Sequence, residues 1–358
     1  SVTFTLSGER LAGAQALLFY DAGITVTRLA NTDDRTVVAE CAIAADCPLG
    51  EHPLRLRTAT GISDCATVWV GALPIVSEVE PNGDMATAQH VSLGTTVAGI
   101  ITREDTDWFA VEAKAGDRIS AEIEGMRLGR GNFDPAIAIL DGRRFELAEC
   151  DDSALLRQDA TASVIAPADG TYYVTVREAS FAGSDTSHYR LHIGRFPRPR
   201  AVWPPAVEPE RATDMRWIGD VKGVPPTTVT LPAGSDRAPL FASDGDGIAP
   251  SPNLVMVSSI PVAPETIEAG KEPLAPVAYH GVLREANATN RHRFRAKAGE
   301  VLAVALYAQR LRSPLDAVID LVAEDSTVIG TLDDTVGADP EVIDRILPIM
   351  NDVARVDT

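Results

Sequence analysis

Two short segments of this 358-residue chain carry closely spaced oxygen-bearing side chains. Glu78, Glu80 and Asn82 alternate along the first segment, and Asp105 and Asp107 lie close together in the second. Calcium takes roughly six to eight oxygen ligands, and a flexible segment that carries carboxylates and an amide can wrap around it. The alternative is a solvated acidic linker, as expected in a chain whose net charge is −19.

Residue patterns that would indicate catalysis are missing from the sequence. None of the six histidines belongs to an HExxH zinc motif, and neither a GxSxG nucleophile elbow nor a GxxxxGKS phosphate loop occurs. His188 and His192 share one face of a predicted strand, and we interpret them as polar surface residues. The sequence therefore predicts a chain that is not an enzyme.

The composition excludes several classes of partner. The chain has 51 acidic and 32 basic residues, so it should be repelled by nucleic acids and by anionic membrane surfaces. No apolar run approaches the ~18 residues of a membrane span. The 27 glycines and 24 prolines favour short strands and turns over long helices.

Apolar and polar residues alternate with a period of two through most of the chain, which predicts an all-β protein built from tandem β-sandwiches. Changes in strand density and in proline content divide the chain into four units. We place the units at residues 1–75, 76–194, 195–262 and 263–358.

Two segments of the third unit carry charge without a clear strand pattern. Arg195–Arg200 is rich in proline and arginine, and we interpret it as a stiff linker, with an anion site as the alternative. Asp244–Gly247 resembles part of a calcium loop but lacks the closing glutamate, so we interpret it as a solvated turn.

The second unit recurs, degraded, in the fourth. Glu112–Asp117 matches Arg295–Glu300, which lies 183 residues later. Further anchors follow in the same order: Phe133–Ile137 with Leu315–Ile319, and Asp151–Ser153 with Asp333–Thr335. A period this long indicates duplicated domains rather than a solenoid. The second copy lacks equivalents of the closing strands of the first, so we expect the natural polypeptide to continue beyond Thr358.

Aspartates recur at equivalent places in both copies. Asp134 and Asp316 each precede a predicted strand, and a pair of aspartates follows in each copy. We interpret these residues as turn caps, with a second ion site as the alternative.

The four cysteines are too few for a disulfide scaffold. Cys41, Cys47 and Cys65 lie within 25 residues of one another, and Cys150 stands apart. In an oxidising compartment we expect Cys65 to pair with Cys41 or Cys47. The alternative is that the cysteines are small buried apolar residues.

A series of short segments carries a family resemblance. The segments are Glu78–Asp84, Asp105–Phe109, Ala113–Asp117 and Asp169–Val174. This series resembles the bacterial pre-peptidase C-terminal domain over most of residues 76–194. Residues 1–75 look like a small immunoglobulin-like sandwich of the TIG type, on the run Pro48–Gly61. The predicted fold is therefore small immunoglobulin-like sandwiches that alternate with larger, jelly-roll-like ones.

The resemblance implies a set of calcium ligands. Glu78, Glu80 and Asn82 match the first half of the family's calcium-binding segment, and Asp105 and Asp107 could supply the second half. Where members of the family have an aspartate after the asparagine, this chain has glycine. Calcium is therefore the expected cofactor.

The resemblance also implies export and non-catalytic roles. We expect an extracellular, cell-surface or periplasmic module that binds or scaffolds a protein or polysaccharide, with Trp203 and Trp217 or Tyr172 and Tyr173 as places where a sugar could stack. One alternative is an accessory, substrate-binding or secretion-assisting part of a secreted peptidase or other hydrolase whose catalytic domain lies outside this chain. Another is a self-assembling subunit of a lattice or filament.

Overall fold

The computed structural model describes residues 1–268, 270–285, 287–297 and 299–332, and the backbone of residues 353–356. This part of the chain is built of β-strands and short turns, which confirms the predicted all-β class. Its helical segments are single 3-10 turns: Met126–Leu128, Ala154–Leu156 and Gln309–Leu311. Within the described residues, no helix is long and apolar enough to cross a membrane.

The first unit is a small sandwich of two three-stranded sheets, in the orders β1-β4-β3 and β2-β5-β6. Its strands are β1 (Val2–Ser7), β2 (Ala14–Phe19), β3 (Ile24–Asp33), β4 (Thr36–Ile43), β5 (Gly50–Thr58) and β6 (Ala66–Val70). Alternate residues of β4 and β5 point into one core, including Val37, Ala39, Leu54 and Leu56.

The expected disulfide is not formed. All four cysteines are free thiols. Cys41 lies in the core on β4, and Cys47 is buried against Gly23, whereas Cys65 is exposed just before the edge strand β6 of the opposite sheet. The prediction was wrong because closeness in sequence did not bring Cys65 into the core where the other two lie.

The second unit is a larger sandwich of two five-stranded sheets, in the orders β13-β12-β15-β10-β8 and β14-β11-β16-β9-β7. Its strands are β7 (Ile75–Ser77), β8 (Gln89–His90), β9 (Thr95–Ile100), β10 (Thr106–Ala113), β11 (Arg118–Glu124), β12 (Pro135–Leu140), β13 (Glu146–Cys150), β14 (Thr161–Ile165), β15 (Gly170–Glu178) and β16 (His188–Gly194). Most strand pairs are antiparallel, but the short strands β7 and β8 run parallel to β9 and β10.

One continuous apolar core fills the space between these two sheets. Phe109, Ile119, Ile139, Val174 and Leu191 come from five different strands, and all of them are fully buried. Their alternation with outward-facing residues is the pattern that predicted the sandwich. Tyr172 also belongs to this core, so it does not serve as a surface platform for a sugar.

The third unit has smaller sheets. Its strands are β17 (Ala201–Trp203), β18 (Ala206–Val207), β19 (Thr213–Ile218), β20 (Thr227–Val229), β21 (Arg237–Leu240), β22 (Ser243–Asp244), β23 (Gly247–Ile248) and β24 (Asn253–Val257). They form the sheets β17-β19-β20, β18-β24-β21 and β22-β23 around a core that includes Val202, Met215 and Val255. Trp203 is buried here and is not a sugar platform either.

Two predictions near this unit need correction. Residues 196–199 are buried rather than exposed as a linker would be. Asp244 starts a two-residue hairpin turn, as expected, but its side chain is only 11% exposed and pairs with Arg118. Both segments carry charges that are matched by partners distant in sequence, which local composition does not reveal.

The fourth unit has elements that resemble those of the second and follow in the same order. Its strands are β25 (Leu302–Ala305), β26 (Ile319–Val322), β27 (Val328–Leu332) and β28 (Val353–Val356). The 3-10 turn Gln309–Leu311 lies 183 residues after Met126–Leu128, and the hairpin β26–β27 follows as β12–β13 does. This order fits a duplication. The anchor Asp333–Thr335 lies outside the described residues, and the duplication and the unit boundaries stay predictions.

Thiol labelling checks the cysteine assignment. In the folded, unreduced protein Cys65 should react first, because its side chain is exposed, whereas Cys41 and Cys47 should react only when the first unit unfolds. Peptide mass spectrometry after alkylation reads each site. After unfolding without reductant, all four cysteines should be labelled; a pair that stays unlabelled until reduction would establish a disulfide.

Candidate metal centre

The segment that follows β7 crosses one end of the second sandwich and is fixed there by backbone hydrogen bonds. The amide of Glu78 donates to the carbonyl of Ala98 on β9 at 2.9 Å, and the amide of Trp108 on β10 donates to the carbonyl of Asn82 at 3.0 Å. The segment therefore bridges the two sheets. This placement brings its side chains to the start of β10, where Asp107 lies.

Three carboxylates meet at this place. One oxygen each from Glu78, Glu80 and Asp107 lies within 4.8 Å of the others. Asp107 is fully buried, Glu78 is partly buried and Glu80 is exposed. Carboxylates this close repel one another unless a proton or a cation neutralises them. A hard cation is the partner that carboxylate oxygens favour.

Asn82 adds a neutral oxygen on the same segment. Its side chain is fully buried, and neither its oxygen nor its nitrogen has a hydrogen-bond partner within the protein. A buried amide without partners costs free energy. Its backbone amide donates to the Glu80 carboxylate at 2.8 Å, which links the two residues. An amide oxygen next to clustered carboxylates fits a calcium ligand set.

Asp105 lies near this group but its carboxylate is engaged elsewhere. It accepts hydrogen bonds from the amide and hydroxyl of Thr102 and from the amide of Thr106. Asp84, next to the glycine that departs from the family pattern, pairs with Arg144 at 2.7 Å. The structure thus brings together three of the five predicted ligands, places Asn82 on their segment and leaves Asp105 as a cap at the entry to β10.

Tyr189 is a member of the site that the sequence did not suggest. It lies on β16, its ring is buried, and its hydroxyl contacts the carboxylates of both Asp107 and Glu78. A phenol carries one proton, so it can donate to one carboxylate at a time. The amide of Ile100 also donates to Glu78, at 2.7 Å. No local motif marks Tyr189, which lies 82 residues from Asp107.

Burial raises the pKa of the two inner carboxyls. It raises the pKa of Asp107 from 3.8 to about 8, against the lowering effect of the Tyr189 hydroxyl and with the help of the charges of Glu78, Asp105 and Glu80. Burial also raises the pKa of Glu78. Without a cation, the cluster therefore holds a proton at neutral pH, and a bound cation would take the place of that proton.

Gly99 makes room for the cluster. A Cβ atom at this position would lie 1.8 Å from the Glu78 carboxylate and 2.4 Å from the Tyr189 hydroxyl. A side chain on β9 at this point would therefore push Glu78 and Tyr189 out of their present positions and break the contact between them.

Comparison with protein families identifies the second unit. Residues 105–178 match the model of the bacterial pre-peptidase C-terminal domain. A stretch of 104 residues is 36% identical to a probable subtilase-type serine protease of Deinococcus radiodurans. This stretch covers 28% of the chain and 14% of that protease, so the chain aligns with a small part of its relative.

Two solved structures align with the chain. The pre-peptidase C-terminal domain of a collagenase from Bacillus anthracis is 16% identical, with a TM-score of 0.24, over 30% of this chain and 93% of that domain. A periplasmic inhibitor of g-type lysozyme from Aeromonas hydrophila is 17% identical, with a TM-score of 0.23, over 34% of this chain and 99% of the inhibitor.

The space above Gly99 can be tested by substitution. Gly99→Ala should lower the free energy of unfolding by about 1–3 kcal/mol, the usual cost of overpacking, because the new methyl group collides with Glu78 and Tyr189. Chemical denaturation measures the change. Gly61→Ala is the matched control, since its Cβ would meet nothing within 4 Å. Equal stability of the two variants would contradict the geometry of the cluster.

Proposed function

We propose that this chain, which contains a bacterial pre-peptidase C-terminal domain, is an exported, non-catalytic module that serves a secreted hydrolase. The observation that carries the proposal is the match of residues 105–178 to that domain. The similarity to part of a subtilase-type protease supports the proposal. A module similar to this one would then belong to the same polypeptide as a hydrolase. Binding or scaffolding of a cell-surface protein or polysaccharide is the role that the module would have there.

Calcium is the proposed cofactor of the module. Glu78, Glu80 and Asp107 supply clustered carboxylate oxygens, and Asn82 supplies a buried amide without a partner. Bound calcium would add the positive charge that the cluster lacks. Asp105 stays a predicted ligand, and it would have to exchange its present hydrogen bonds to bind the ion.

The residues of the site would then have separate tasks. Glu78 and Asp107 hold their carboxylates at the ends of β7 and β10, and Tyr189 orients both of them from β16. Glu80 and Asn82 belong to the crossing segment. An ion bound by both sets would tie the junction between the first and second units to the core of the second, so its role is to fix the junction.

Assays of the intact chain test the non-catalytic role. We expect no hydrolysis of peptide, ester or glycoside substrates above the rate without protein, because no nucleophile–base pair or catalytic motif was found in the sequence. We also expect co-sedimentation with at least one insoluble matrix among collagen fibres, chitin, cellulose and peptidoglycan. Turnover that a point substitution abolishes would contradict the first expectation, and absence from every pellet would contradict the second.

Thermal melting tests the calcium site. With free calcium at a hundred times its dissociation constant, binding to the folded state should stabilise the protein by about 2.7 kcal/mol relative to chelator. Proteolysis between residues 75 and 85 should slow under the same conditions. Differential scanning calorimetry and limited proteolysis measure the two effects.

Matched variants distinguish this site from general effects of the ion. Asp107→Asn keeps the shape of the side chain but removes a charged ligand, so it should abolish most of the calcium response. Asp214→Asn is the control, because Asp214 is exposed and its carboxylate accepts a hydrogen bond from the Thr228 hydroxyl. Identical melting of the unaltered chain with calcium and with chelator would end the calcium proposal and leave Glu78 to Asp84 as an acidic segment.

A further inference from the structure

The outer face of β11 is buried although it is polar. Ile119 and Ile123 point into the sandwich core. Arg118, Ser120 and Glu122 point the other way, and they are also completely buried. A strand on the surface of an isolated sandwich would expose such residues to water, so another part of the chain must cover this face.

The third unit supplies the cover at Arg118. The guanidinium lies 2.8 Å from Asp244 and 3.2 Å from Asp220, whose side chain is 1% exposed. It also donates to the carbonyls of Arg195 and Gly223, at 2.9 and 3.3 Å. One cation of the second unit is thus surrounded by two carboxylates and a carbonyl from the third unit and a second carbonyl at the boundary.

The Arg-Pro segment at the boundary covers the next part of the strand. Arg198 lies 2.6 Å from the Glu122 carboxylate, and both side chains are buried. Arg198 also donates to the carbonyl of Ser251 at 3.0 Å, and its amide donates to Asp220 at 2.7 Å. Between these ion pairs, the carbonyl of Phe196 accepts from the Ser120 hydroxyl at 2.9 Å.

Arg127 joins three units at one point. It pairs with Asp159 of its own unit at 2.5 Å and with Glu122 at 3.4 Å. It donates to the hydroxyl of Ser251 in the third unit at 2.8 Å. Its guanidinium also lies over the ring of Trp69 in the first unit, 5.8 Å from the ring centre.

Such a set of contacts permits one arrangement of the second and third units. A small rotation would separate Arg118 and Arg198 from their carboxylates before water could reach them, and unpaired charges in a dry interface are strongly unfavourable. Phe196 adds a steric constraint, because a Cβ atom at Gly194 would lie only 2.9 Å from its ring, and Gly247 of the third unit lies beside it. Partial opening therefore has no stable intermediate position.

We propose that residues 76–262 unfold as one cooperative body, in which the third unit is a rigid extension of the pre-peptidase C-terminal domain rather than an independent sandwich on a linker. The buried face of β11 is the surface that holds it. The module would thus present the chain that follows at a fixed angle. This proposal does not depend on calcium or on the proposed function.

Hydrogen exchange of the full-length chain tests the proposal. The slowest amides of β11 and of β24, which lie in different units, should exchange through the same opening, with protection that agrees within about threefold. Mass spectrometry of peptic fragments measures both strands in one experiment. Protection of β24 that is more than about tenfold weaker than that of β11 would show that the third unit opens by itself and would overturn the proposal.

Charge variants give a second test. Arg198→Met leaves Glu122 without a partner from the boundary, so the melting temperature should fall by about 10 °C and the protection of β11 and β24 should fall together. The double variant Arg198→Met with Glu122→Gln should recover most of this loss. An unchanged melting temperature, or a loss of protection confined to β24, would contradict the proposal.

An exposed ion pair provides the matched control. Arg28 and Glu40 lie 3.0 Å apart on the surface of the first unit, where both side chains are well exposed. Arg28→Met should shift the melting temperature by less than about 2 °C. If Arg198→Met does not fold, the exchange of the unaltered chain and the stability of the double variant decide the question.

Discussion

The structure depends on how buried charges are neutralised. Arg118 and Glu122 lie on one strand with no exposure to water, and each has an opposite charge at hydrogen-bonding distance from a segment beyond residue 194. A charge in this position without a partner would cost more than the packing around it could return. The sequence can therefore bury this strand on both faces only if the third unit lies where it does.

The carboxylate cluster also contains buried acidic groups that need to be neutralised, but within the described part of the chain no arginine lies among them to do so. Glu78 and Asp107 face each other across a buried tyrosine hydroxyl, which carries one proton for two acceptors. Burial and the neighbouring carboxylates raise the pKa of Asp107 to about 8, so a proton on this carboxyl can balance the remaining charge. One boundary is thus closed by charges within the chain, whereas the other has a carboxylate cluster that we propose a cation completes.

Local patterns predicted the sheets and part of the site. Alternation with a period of two is imposed by a strand with one buried face, and so the sandwich of the second unit could be predicted. Glu78, Glu80 and Asn82 were found because they match the calcium-binding segment of the family that the second unit resembles. Tyr189 and the Arg118–Asp244 pair were missed because their partners lie 82 and 126 residues away, and only the fold creates that proximity.

The same reason explains why the boundary at residue 195 was misjudged. Proline and arginine in series are typical of a solvated linker when only the neighbouring residues are considered. Here the segment contacts β11, where the carbonyl of Phe196 accepts from the Ser120 hydroxyl. The arginine between the two prolines, Arg198, meets Glu122, which lies far away in sequence. Composition shows that the regular strand pattern stops at this point, but whether the segment is solvated depends on charges elsewhere. The burial of an acidic residue such as Glu122, for which the neighbouring sequence gives no reason, is therefore the better indicator that two units are docked.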